Sequence, residues 1–390
     1  MLSERGSVRP GDRPVVFVDA ATQIENLGDD VILRQLLRLL KARADLRVDV
    51  RKVPDWAQEV IAVDPATARD ARWFGVRLLA TGLRSRLGRG PSRVALVLKP
   101  GHIGGSYGFR YGLGRAGLLG LTVACRLLGV TVARVGFSVN DARGALLHLE
   151  RLQSRAQQLY APRDDVSISY ARSAGIRVNG RSADLAYTLG VTDDGGPRSG
   201  LVLSFAGTTD GHLQPAYADQ LTAFLRRYLD DSPVRDVTWC AQVVRDATFG
   251  DQVLEDRGHV ARVAFERDAT SAEAVFDLYG GADLVLTNRL HAFLFALSRG
   301  ALAVVVTDPA THGKIVGIVA DMGLPELLVP LQDLTPERLD AAVAALQRRR
   351  GEVLQTVSQY LEAESGRIGA LLDTWIGPVA AETPAAADAR

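Results

Sequence analysis

The 390-residue chain reads as an α/β protein of two doubly wound halves. Short β-branched runs alternate with amphipathic stretches from end to end, the pattern of parallel strands joined by crossover helices. A run dense in turn formers, Gly190-Val191-Thr192-Asp193-Asp194-Gly195-Gly196-Pro197-Arg198-Ser199-Gly200, interrupts the alternation near mid-chain, after which it restarts. At ~100–200 residues per domain, the length also asks for two domains.

In the first half the apolar runs predict strands at 15–20, 46–50, 94–98 and 132–137, and the 3.6-residue periodicity predicts helices at 29–43, 115–128, 141–158 and 163–174. After the linker, strands are expected at 201–205, 237–241, 284–287 and 303–306, and helices at 217–229, 272–279 and 292–298. The domains are accordingly drawn at 14–190 and 200–333. They are followed by a helical segment, 334–376, that can cross back over the first half, and an Ala/Pro-rich, disordered tail at 377–390.

Composition excludes several classes of function. Lys plus Arg number 46 against 45 Asp plus Glu, so a net charge of +1 offers no field of one sign to a nucleic acid. Cys125 and Cys240 sit in apolar surroundings without a CxxC or Cys/His cluster, as free thiols of a reducing, cytoplasmic compartment would. The first apolar run, Val15-Val16-Phe17-Val18, is too short for a signal-peptide core. The stretch 117–130 carries Arg126 and falls short of the ~20 residues a spanning helix needs, so it reads as a buried core helix, and association with a membrane would be peripheral, at its inner face. Lys41, Lys52, Lys99 and Lys314 are the only lysines, so each is more informative than an arginine in this chain.

Ligands of open parallel sheets bind beyond the carboxyl ends of the strands, so the strand-to-helix turns carry the candidate chemistry. The first reads Asn26-Leu27-Gly28-Asp29-Asp30. Gly28 can take positive φ, Asp29 or Asp30 can cap the helix, and a functional Asp29 would orient the loop or accept from a hydroxyl, since it repels phosphate. The second, Lys99-Pro100-Gly101-His102-Ile103-Gly104-Gly105-Ser106-Tyr107-Gly108, lets backbone amides approach a ligand, but it is neither a Walker nor a dinucleotide fingerprint. His102 there is either a partner for a sugar hydroxyl or simply solvated.

The third turn, Thr287-Asn288-Arg289-Leu290-His291-Ala292, opens an apolar helix. With Asn288 as its cap, Arg289 and His291 fall in the first helical turn beside free amides, an anion site with a proton donor attached. The competing reading pairs Arg289 with Asp283 and makes His291 a packing residue. Thr311-His312-Gly313-Lys314 places a lysine on a further strand-end loop, Tyr160-Ala161-Pro162-Arg163-Asp164-Asp165-Val166-Ser167 opens a helix, and Asp184-Leu185-Ala186 follows it. No carboxylate cluster suggests a metal.

Taken in order, NLGDD, GGS, PRDDVS, SADLA, TNRLHA and Lys314 resemble the polysaccharide pyruvyl transferase family over residues 15–328. The family's elements are N-x-G-D, a glycine-rich loop, R-D-x-x-S, D-P-A, R-L-H-A and a later lysine. The resemblance implies a GT-B-like enzyme that takes phosphoenolpyruvate as donor, without a further cofactor, and attaches pyruvate as a ketal to two hydroxyls of one sugar. The acceptor sugar would be part of a glycan or a carrier-linked precursor, in cell-envelope polysaccharide biosynthesis. It further implies His291 as acid/base, with Arg163, Arg289 and Lys314 gripping phosphate and carboxylate. Asn26, Gly28, Asp29, His102, Gly104, Gly105, Ser106, Ser167 and Asn288 then line the substrate site. The sequence departs from the family at Ala206, where an arginine is common, at Ser106, where a third glycine is, and at Leu185 of the D-P-A element. The alternatives are a GT-B glycosyltransferase using a nucleotide sugar, for which no ribose-binding carboxylate follows Lys314, and a degenerate glycan- or anion-binding member, which would lack the His/Arg/Lys set.

Overall fold

The computed structural model describes residues 13–21, 26–68, 73–104, 109–193, 195–209, 212–213, 215–231, 236–255, 257–265, 271–310 and 312–377. Gly105, Ser106 and the tail beyond Gly377 lie outside them.

The first half runs β1 (Val15–Asp19), α1 (Leu27–Lys41), β2 (Asp45–Asp49), α2 (Asp55–Ile61), α3 (Pro65–Ala68), α4 (Phe74–Arg86), β3 (Val94–Leu98), β4 (Gly101–Ile103), α5 (Phe109–Leu127), β5 (Thr131–Val139), α6 (Gly144–Ala156), β6 (Leu159–Pro162) and α7 (Asp165–Ser173). A 3-10 segment at Leu185–Leu189 precedes the second half. That half comprises β7 (Leu201–Ser204), the small hairpin β8 (Thr208–Thr209) and β9 (His212–Leu213), α8 (Pro215–Asp231), β10 (Val237–Ala241), α9 (Val244–Leu254), β11 (Ala261–Ala264), α10 (Ala272–Gly281), β12 (Leu284–Thr287), α11 (Leu290–Ser298), β13 (Leu302–Thr307), α12 (Gly313–Asp321) and β14 (Leu328–Pro330). Two helices close the chain, α13 (Pro336–Arg348) and α14 (Arg350–Trp375).

Both large sheets are parallel. In the first, β2-β1-β3-β5-β6 lie side by side, and β4 pairs with β5 just beyond β3. β3 and β4 thus form one interrupted strand, broken where Pro100 lacks a donor and Gly101 adopts φ 111°. The second sheet has the order β11-β10-β7-β12-β13-β14, so its direction of winding reverses between β7 and β12. That reversal is where a doubly wound sheet opens a crevice at the carboxyl ends of its strands.

Alternation along β1 sorts the packing. Val16 and Val18 face the large core that includes α1, whereas Phe17 faces a separate cluster with Phe74 and Leu78 of α4 and Cys125 of α5. Burial pushes both free thiols, Cys125 and Cys240, up to about 12, so they are inert packing groups. The halves meet where Asn26 bridges Val243 and the Leu27 amide donates to the Gln242 carbonyl at 3.1 Å.

α14 spans both halves. Near its start Arg350 donates to the carbonyls of Gly300 (2.6 Å) and Asp283 (3.2 Å). Further along, Tyr360 packs edge-on against Tyr187, and Asp373 pairs with Arg43 at 2.8 Å. Among the described residues no helix is long and apolar enough to cross a membrane.

Candidate active site

The site begins at the amino terminus of α1. Asn26, in extended backbone, is the cap: its Oδ1 accepts from the Gly28 amide at 3.0 Å, and its Nδ2 donates to Asp29 Oδ2 at 3.1 Å. This corrects the expectation that Asp29 or Asp30 caps the helix, and it starts α1 two residues early. Gly28 is helical, not left-handed. Its requirement is proximity, because a Cβ built there would fall 2.6 Å from Cγ of His291. Gly28→Ala is therefore expected to separate α1 from α11, costing ~1–3 kcal/mol of stability and displacing His291, as thermal melts and turnover would register together.

His291 lies in the first turn of α11, its ring stacked on Phe295 at 5.8 Å and 17°. Its buried Nε2 makes no hydrogen bond and faces Asp184 Oδ2 at 3.6 Å. Asp184 belongs to the first half, so this contact crosses between the halves. The same Oδ2 accepts from Arg163 Nη1 at 2.7 Å, while Oδ1 accepts from the Ala186 amide at 2.9 Å and caps the 3-10 segment. Burial alone would raise the Asp184 carboxyl, but Arg163 and then His291 hold it well below the usual carboxylate range. Burial would lower the Arg163 guanidinium, yet Asp184, Asp164 and Asp29 keep it above its ordinary value. Asp29 shows the opposite balance: burial raises its carboxyl despite His291, Arg163 and Lys99 nearby.

α12 brings in Lys314, whose Nζ lies 3.5 Å from His102 Nδ1. Desolvation, followed by Lys314 and Arg163, pushes His102 down to about 3. That direction favours the neutral ring, suited to a hydrogen bond with a ligand. Gly104 is closed in by Asn140 and the His102 ring, so its lack of a side chain serves packing beneath His102. Lys99 donates to the Ala21 carbonyl at 2.5 Å, and burial lowers its ammonium despite the pull of Asp19.

Three candidates hold contacts within the protein. Asn288 is buried and does not cap α11; its side chain accepts from the Ala206 amide, and donates to the Ala206 carbonyl and Tyr217 hydroxyl, at 2.8–2.9 Å. It ties β7 to β12 across the point where the winding reverses. Arg289, the residue preceding α11, pairs not with Asp283 but with buried Asp246, beside Arg245 on α9. Ser167 is buried, its hydroxyl accepting from the Val139 amide at 3.1 Å and its amide donating to Asp164 at 2.6 Å, so it anchors α7 to β5.

Asn26, Gly28, Asp29, His102, Arg163, His291 and Lys314 therefore share one neighbourhood, and Arg289 is held by Asp246. Asp184, Lys99, Asp246 and Phe295 are further members that were not among the candidates. Asp184 had a signal, in the element Asp184-Leu185-Ala186. Among the described residues no three His, Cys, Asp or Glu side chains gather as a metal site would need. A buried ring nitrogen held against a carboxylate, with an arginine and a lysine on the same side, can bind an anion and move a proton.

Solved structures share the architecture. A glycosyltransferase from Rickettsia africae superposes with a TM-score of 0.57 at 8% identity, covering 93% of this chain and 98% of its own. Anabaena Alr3699/HepE, solved with UDP, gives 0.57 at 12% identity, covering 93% and 99%. An α,α-trehalose-phosphate synthase from Burkholderia vietnamiensis gives 0.53 at 12%, covering 94% and 99%. At these identities the likeness establishes the fold, which is GT-B. No curated protein sequence matches significantly. The family model for polysaccharide pyruvyl transferase matches residues 26–307, from the cap of α1 to the end of β13. The chain belongs to that family of transferases.

Proposed function

We propose that the chain moves the pyruvyl group of phosphoenolpyruvate onto two hydroxyls of one sugar residue, forming a ketal and releasing phosphate. The observation that supports this most is the placement of His291 between Asp184 and the start of α1, with Arg163 and Lys314 in the same neighbourhood. A donor with a phosphate and a carboxylate a few ångströms apart needs more than one cation, and its enol carbon needs a proton. In this reading the second half grips the donor, and the first half presents the acceptor and supplies Arg163 to the donor site.

His291 delivers a proton to the donor's methylene carbon, and the electron-poor C2 takes the first sugar hydroxyl, whose proton passes to the vacated base. Phosphate leaves with the electron pair of its C–O bond as the second hydroxyl closes the ketal. One hydroxyl proton thus replaces the one His291 gave, and the other leaves with phosphate. Arg163 and Lys314 offset the charge that builds on the leaving phosphate.

The test is incubation with phosphoenolpyruvate and a panel of acceptor glycans. Phosphate release should match a product heavier by pyruvic acid less one water. Turnover of a UDP-sugar instead would overturn the reading in favour of glycosyl transfer. Lys314→Ala is expected to raise KM for phosphoenolpyruvate about 10- to 150-fold, the equivalent of ~1.5–3 kcal/mol for a charge-assisted contact. Unchanged steady-state kinetics would remove Lys314 from the donor site.

A further inference from the structure

From Ala71 to Asn140 the sequence has no Asp or Glu, although at the chain's average frequency about eight would be expected. The same seventy residues hold eleven lysines and arginines, which leaves the remainder of the chain net acidic by ten. This segment builds α4 and α5, which pack together on the face of the first sheet turned away from α1.

Their outer surfaces are apolar as well as basic, so the stretch 117–130, expected as a buried core helix, buries only one side and leaves Val123 and Leu127 exposed. Val76, Leu83 and Leu87 fall on one stripe of α4 and its end, and Leu113, Val123 and Leu127 on one stripe of α5. Trp73, at the start of α4, is 72% exposed. These residues and Tyr111 make up eight of the ten large apolar side chains exposed among the described residues. Arg77, Arg84, Arg86, Arg89 and Arg126 are interleaved with them, all exposed. Arg86 donates to the Leu127 carbonyl, which joins the ends of the two helices.

We propose that this α4–α5 face docks on the surface of an anionic lipid bilayer. Leucine, valine and tryptophan at one level with arginines beside them suit the boundary between acyl chains and charged headgroups. A basic surface built from an acid-free stretch of sequence, on a protein otherwise net acidic, gives the docking its orientation. A second copy of the chain fits less well, since two such faces would meet with like charges, and a nucleic acid would leave the aliphatic stripes without a partner. α5 begins at the glycine-rich turn, so the docked face leads to the first-half side of the cleft.

Co-sedimentation of the full chain with vesicles of phosphatidylcholine alone, or mixed equally with phosphatidylglycerol, tests this. Binding to the mixed vesicles is expected, weakening as salt is raised, with a blue shift of tryptophan emission that is lost in Trp73→Phe. Reversing three charges, R84E/R89E/R126E, should lower the partition coefficient about 100-fold. The apolar set L83S/L113S/L127S should lower it at least about tenfold. Arg348→Glu, on the exposed surface of α13, should leave it unchanged. The proposal fails if the mixed vesicles bind no better than phosphatidylcholine, or if both triple variants fold and bind like wild type. It fails equally if an oligonucleotide is captured more tightly than the vesicles, or if sedimentation velocity shows a dimer that R84E/R89E/R126E dissolves without any vesicle binding.

Discussion

His291→Asn is expected to turn over ~10²–10⁴-fold more slowly than wild type while folding normally. The ring sits between Phe295 on its own helix and Gly28 on α1, with Nε2 facing Asp184 at 3.6 Å. Asparagine keeps a hydrogen-bonding group near Asp184 but has no proton to give at neutral pH. The loss should therefore fall on kcat, with KM for phosphoenolpyruvate changing much less, since Arg163 and Lys314 are retained. Rapid-quench measurement of phosphate release separates the two. A variant with a normal melting temperature and wild-type kcat would show that the proton comes from elsewhere.

Asp184→Ala is expected to be the most destabilising single change at the site, by ~3–5 kcal/mol, because it leaves the Arg163 guanidinium buried without its closest partner. The 2.7 Å pair and the cap on the Ala186 amide are lost together. Asp184→Asn keeps the cap and removes only the charge, so it should fall between alanine and wild type. The pH dependence has a definite sign. Asp184 is held below the ordinary carboxylate range, so its contribution is complete above the unfolded value near 4 and disappears as pH falls through the lower folded value. The gap in Tm between wild type and Asp184→Asn should thus be widest at neutral pH and narrow on strong acidification. A gap independent of pH would mean that packing, not charge, is what Asp184 supplies.

The fold was legible because its strands are short apolar runs ended by charge or glycine. Val94–Leu98, Val237–Ala241 and Leu284–Thr287 fall where the apolar runs predict them. β4, β6, β11 and β14 were not expected: each is three or four residues long, and two contain proline, so pairing with a neighbour decides them more than propensity does. Helix starts moved for a similar reason. A cap is chosen by which side chain reaches the free amides, and at α1 that is Asn26, not the aspartates that follow.

Within the site, single turns were readable and their pairings were not. The first turn of α11 announced Arg289 and His291. That Arg289 turns to Asp246, 43 positions earlier, depends on the starts of α9 and α11 meeting in the fold. The hydrophilic, cap-like Asn288 proved to be an internal clasp, because β7 ends against it with the Ala206 amide and carbonyl both open. Gly28 gave a turn signal where its function is to admit a histidine from the other half of the chain.

The central claim, that His291 protonates the methylene carbon of phosphoenolpyruvate as pyruvate is transferred, is tested most directly by running the reaction in D2O. The His291 proton exchanges with solvent, so the account predicts a ketal methyl group carrying one deuterium and one phosphate released per ketal, with no product above background from His291→Asn on the same timescale. A ketal methyl formed in D2O without deuterium, or deuterated product made at the wild-type rate by His291→Asn, would contradict it.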